Sequence, residues 1–130
     1  MNNYENNAFF WQKIDTLVFS SRFVLTREKG TQHPEYKNLI YPVNYGHYVD
    51  VAAESDEGGI AVFKGSEPSS TVKAMIVAAD ILKKDLEVKL LVGCTAEETD
   101  LILRFLNQTD FQKTILVRRG YEMPAWALTD

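Results

Sequence analysis

Apolar residues recur at helical spacing near the amino end of the chain: Phe10, Ile14, Leu17 and Val18 fall at i, i+4, i+7 and i+8, with Trp11 beside them. One helical face collects them, so a docking helix is predicted over 8–18. Ser20-Ser21 interrupts that period, and Phe23-Val24-Leu25-Thr26 reads as a strand because branched and aromatic side chains pack well on a pleated surface. After a loop over 30–34, Leu39-Ile40-Tyr41 opens a second strand, which Pro42 confines to an edge or bulge and after which Gly46 permits a bend. An acidic Gly-Gly turn over 54–59 leads into Ile60-Ala61-Val62-Phe63, a buried strand.

A polar turn over 65–70 precedes a longer strand over 71–80. Its middle, Ala74 to Ala79, is apolar at successive positions, which predicts cover on both faces. The chain turns back at Lys83-Lys84, and 85–92 alternates: Leu86, Val88 and Leu90 on one face, Asp85, Glu87 and Lys89 on the other. Thr95 followed three residues later by Glu98 is a capping box ahead of Leu101, Ile102, Phe105 and Leu106. Asn107 to Asp110 ends that helix, Thr114-Ile115-Leu116-Val117 gives a last strand, and a tail from Gly120 carries Trp126. Many strands with two helices predict an α+β, mainly β, fold, and no repeat or linker divides residues 1–130 into more than a single domain.

Composition adds exclusions. Hydrophobic residues at 45% and charged residues at 25% are ordinary globular values. A net charge of −4 works against a nonspecific grip on nucleic acid, which needs clustered Lys and Arg on one face; the pairs Arg118-Arg119 and Lys83-Lys84 are too small for that. Cys94 is the only cysteine, so no internal disulfide forms. No apolar run reaches membrane-spanning length. The opening, Met1 to Asn7, lacks a basic region and runs into an amphipathic segment, so a cytoplasmic location is the default expectation.

The densest stretch is Tyr41-Pro42-Val43-Asn44-Tyr45-Gly46-His47-Tyr48. Such a cluster is either a buried aromatic corner between strands or a ligand pocket in which the Tyr45 hydroxyl meets a phosphate oxygen. Asp85, Glu87 and Lys89 likewise read as a solvated strand face of paired charges or as a site. His33, ahead of Pro34, is held extended and reads as a solvated or hydrogen-bonded loop residue, not as a metal ligand. Lys29, beside Gly30, reaches a phosphate only if its loop folds over the pocket.

The run Tyr41-Pro42-Val43-Asn44-Tyr45-Gly46, followed by Asp56-Glu57-Gly58-Gly59-Ile60-Ala61-Val62, resembles the signature region of the soluble family I inorganic pyrophosphatases. Asp85-Leu86-Glu87-Val88-Lys89 is similar to the acidic and lysine segment on a later strand of those enzymes, and Arg27 to Tyr36 is similar to a short bacterial branch. The resemblance implies a small closed OB-like β-barrel of the inorganic pyrophosphatase type, with an N-terminal and a C-terminal helix. It implies magnesium-dependent hydrolysis of diphosphate to phosphate, in which Lys89, Tyr45 and Asp85 are catalytic. Lys89, Tyr45 and Lys29 would hold phosphate oxygens, and Asp56, Asp85 and Glu87 would hold Mg2+.

Departures from the family pattern lower the expected activity. Of an Asp-x-Asp-x-x-Asp cluster only Asp56 is present, because Gly58 and Ala61 stand at the other positions. Glu87 is one methylene longer than the family aspartate, an early acidic position falls near Thr26, and a tyrosine and a lysine near the last helix fall on Asn107 and Gln108. Each loss of roughly 1.36 kcal/mol of transition-state stabilisation is a tenfold rate loss, so the expectation is a weak diphosphatase with a degenerate site. The alternative is a non-catalytic protein that binds a phosphate-containing ligand or a protein partner; a nucleic-acid-binding barrel comes last, on charge. Phe9-Phe10-Trp11 offers an aromatic surface through which a homo-oligomer would form.

Overall fold

The computed structural model describes residues 4–124 and Ala127, so Trp126 lies outside the described residues. Helix α1, Ala8–Phe19, starts where the Asn7 side chain accepts the Phe10 N–H. Strands β1, Ser21–Arg27, and β2, Asn44–Asp50, follow, then β3, Ile60–Lys64, β4, Val72–Asp80, and β5, Asp85–Val92. Helix α2, Ala96–Leu106, leads to β6, Gln112–Arg118. The predicted capping box is present at α2, with Thr95 accepting the Glu98 N–H and Glu98 accepting the Thr95 N–H.

The strands form one six-stranded sheet in the order β1-β2-β3-β5-β4-β6. β3 and β5 run parallel and the other neighbours antiparallel. The fold is therefore α+β and mainly β, as expected, but the sheet is open: β1 and β6 stand at its two ends, and the expected closed barrel does not form. Burial supplies the reason. A small barrel buries one interior face, whereas this sheet buries side chains on both faces under separate helices.

Trp11 of α1 packs with Tyr48, Val62, Met75, Leu90 and Val92 on one face. Ile102, Phe105 and Leu106 of α2 pack with Phe63, Ile76 and Leu91 on the other. Adjacent residues such as Val62 and Phe63, or Leu90 and Leu91, thus serve opposite cores. Trp11 is fully buried in its own chain, so within Phe9-Phe10-Trp11 it is Phe10 that keeps substantial exposure.

Two local expectations are corrected. Leu39-Ile40-Tyr41 is not the start of a strand; it makes one isolated bridge, Gln32 to Ile40, within a long excursion between β1 and β2. Leu39, Tyr41 and Val43 turn into the α2-side core instead, which ties that excursion down as a flap over the sheet. Gly46 sits inside β2 and not at a bend, because a Cβ there would strike the Val24 carbonyl oxygen and the Phe23 ring. The turn glycine is Gly59, at φ +92° with the Tyr48 carbonyl against it. Among the described residues no helix is long and apolar enough to cross a membrane.

Candidate functional site

The sheet face beneath α2 is the floor of a cavity of about 260 Å³. Register builds that floor: Tyr45 of β2 pairs with Phe63 of β3, and Ala61 of β3 pairs with both Lys89 of β5 and His47 of β2. Period-two alternation along β5 then places Glu87 and Lys89 on the same side as Tyr45 and Phe63. One wall is the excursion, with His33, Tyr36 and Tyr41; the other is the end of α2 and the segment after it, with Phe105, Thr109 and Phe111. Thr26 and Arg27 close one end, and Asp80 and Lys83 of the β4–β5 hairpin close another.

Lys89 is the centre of this arrangement. Its ammonium donates to the Tyr45 hydroxyl at 3.1 Å and lies 3.0 Å from Glu87 Oε2, and the residue is 7% exposed. Burial opposes the charge, but the Tyr45 hydroxyl and the Glu87 carboxylate together outweigh it and hold Lys89 above its ordinary pKa. Glu87 in turn is held below the usual carboxylate range, first by its hydrogen bond and charge contact with Lys89. The result is a fixed buried cation with one neutral and one anionic partner.

Of the two histidines, His33 lines the cavity and His47 stands beside Tyr45 outside the lining. His33 Nδ1 accepts the N–H groups of Glu35 and Tyr36, which assigns the ring proton to Nε2 and shapes the wall. Its ring stacks on Tyr41, 6.0 Å between centroids and 4° between planes. Burial lowers the His33 pKa, with Glu35 opposing and Lys83 and Arg27 assisting. His47 stands edge-on to Tyr45, contacts Thr26 Oγ1 through Nδ1 at 3.2 Å, and is lowered by burial and by Lys89. Cys94 lies elsewhere, and burial pushes its thiol up to about 11, so it offers no thiolate near neutral pH.

The structure brings Lys89, Tyr45 and Glu87 together. Asp85 shares their strand face but is exposed at the start of β5, outside the cavity lining. Asp56 is engaged elsewhere: its Oδ1 lies 2.6 Å from Arg22, whose guanidinium also donates to the Ala53 and Ser55 carbonyls and so braces the β2–β3 loop. Among the described residues no group of three His, Cys, Asp or Glu side chains stands placed to hold a metal ion. Lys29 is exposed, with its backbone N–H on Asn44 Oδ1, and does not line the cavity.

Sequence reasoning missed the aromatic wall, the Arg27 and Lys83 cations, and Asp80. Asp80 is the one member of that set with a local signal, an acid closing an apolar strand; it is buried, and its Oδ1 accepts the Leu82 and Lys83 N–H groups and fixes the hairpin turn. Comparison of the chain with family models, with curated proteins and with solved structures returns no match.

Proposed function

We propose that the cavity binds a small phosphate-containing ligand, diphosphate being the simplest case. Lys89 and the Tyr45 hydroxyl would take phosphate oxygens, with Arg27 and Lys83 at the margin. The observation that carries this reading is an almost fully buried lysine, kept charged, at the floor of a cavity. An ammonium so placed is costly unless paired, and its contacts with the Glu87 carboxylate and the Tyr45 hydroxyl use two of its three N–H donors and leave one for an anion. The resemblance to the pyrophosphatase signature, which meets at Tyr45, Glu87 and Lys89, supports the same ligand class.

Magnesium-dependent hydrolysis of diphosphate is the second reading, favoured by Glu87 at the cavity and Asp85 two residues before it on the same face. The ligand set expected from sequence does not fit a single ion, since Asp56 is tied to Arg22 and Ala61 stands where a carboxylate would approach Lys89. Binding therefore stands ahead of catalysis.

Calorimetry with diphosphate, with and without magnesium, tests the first reading. Lys89→Met should weaken binding 10- to 100-fold, since a hydrogen bond to a charged group contributes about 1.5–3 kcal/mol. Silence toward diphosphate and toward phosphate monoesters alike, from correctly folded protein, would overturn the proposal. Phosphate release above blank that vanishes in Glu87→Gln would promote the hydrolase; none above blank would leave binding alone.

A further inference from the structure

Resting on that phosphate reading, we infer that the ligand is a phosphate monoester of a planar aromatic group, such as a nucleoside monophosphate or an aryl phosphate, and not inorganic diphosphate. The cavity has two unlike halves. Lys89, Tyr45 and Glu87 make the polar floor, while His33, Tyr36 and Phe111 are half-buried and offer ring surface along the walls. Tyr41 and Phe105, nearly fully buried and 4.8 Å apart between ring centroids, back that surface and hold it rigid. Tyr36 of one wall and Phe111 of the other meet at 5.7 Å between ring centroids. A wholly polar anion satisfies the floor and leaves the rings against water, whereas a ring-bearing ester covers both.

Charge points the same way, and the volume of about 260 Å³, just below the range of organic-ligand pockets, limits the ester to a small one. The lining holds Arg27, Lys83 and Lys89 against Glu35, Asp80 and Glu87, a formal balance. A balanced lining suits a monoester of about −1.5 to −2 near neutral pH better than the higher charge of bare diphosphate.

Calorimetry with four probes tests this: phenyl phosphate, uridine 5′-monophosphate, ribose 5-phosphate and diphosphate. At least one of the two ring-bearing esters should bind tenfold or more tightly than both ring-free probes. In Tyr36→Ala that preference should fall to within threefold, and Phe111→Leu serves as the second variant should the first melt early. If diphosphate and ribose 5-phosphate bind as tightly as the ring-bearing esters, this inference fails and the phosphate reading stands. If none of the four binds the folded protein, both fail.

Discussion

His33 carries the clearest single-residue consequence. Its Nδ1 accepts two backbone N–H groups, so protonation would set a donor against donors and undo the turn that shapes the cavity wall. Burial holds its pKa below the ordinary 6.5, so the unfolded chain takes up the proton first as pH falls. The stability it contributes is complete above pH 6.5 and is lost as pH falls through the folded value. His33→Asn keeps an acceptor at the Nδ1 position and removes the titration, so wild type should lose more melting temperature than this variant between neutral and acid pH. Parallel curves would remove the role. Ala61 gives a second test, because it sits beside Lys89 and His47 on adjoining strands. Ala61→Asp should weaken metal-free diphosphate binding roughly tenfold, since one unit charge at such a distance contributes on the order of 1 kcal/mol in partly hydrated surroundings, and magnesium should restore it. Equal affinity with and without magnesium would argue against any metal at this face. Glu87 and Lys89 were legible because strand alternation and a motif both marked them, and Tyr45 by the motif alone. His33, Tyr36 and Phe111 were not, since no local period links a flap residue to one beyond α2.

At the scale of elements, the two helices were readable for different reasons. α2 carries its own start signal in the Thr95–Glu98 box, and that box also accepts the Ser66 N–H, joining the helix to the turn after β3. α1 is readable by period alone, and what holds it is a question of magnitude. Asp15 and Arg119 form a two-pronged ion pair at 2.7 and 2.8 Å, which also lowers the Asp15 pKa through the Arg119 hydrogen bond. Asp15 is nevertheless close to half-exposed, so Asp15→Asn should cost under about 1 kcal/mol. Trp11, fully buried, should cost about 3–5 kcal/mol as Trp11→Ala, by lost burial and the void left behind. Urea denaturation of the two variants checks the order; equal losses would mean that the ion pair and not the indole anchors the helix. The misread element, Leu39-Ile40-Tyr41, has a strand's composition, but Leu39 and Tyr41 pack into the core under α2 and only Ile40 makes a bridge.

For the whole molecule, the decisive fact is one open sheet with an apolar cluster on each face. The unbroken apolar run of β4 announced cover on both sides, yet nothing local states whether edges meet, because closure depends on strand order and stagger. The two cores share their strands: Val62 and Leu90 face α1 while their neighbours Phe63 and Leu91 face α2. Stripping α1 from its face would expose Trp11, Val62 and Leu90 and loosen the backbone that positions Phe63 and Leu91. Loss of either core therefore removes the other, and unfolding should be one cooperative transition. The two tryptophans are Trp11 and Trp126, so in a Trp126→Phe background fluorescence reports on Trp11 alone. Its urea midpoint should coincide with that of far-ultraviolet circular dichroism, which follows the whole sheet and both helices. A Trp11 midpoint at clearly lower urea would mean that α1 leaves an intact sheet, and that the cavity on the opposite face does not depend on it.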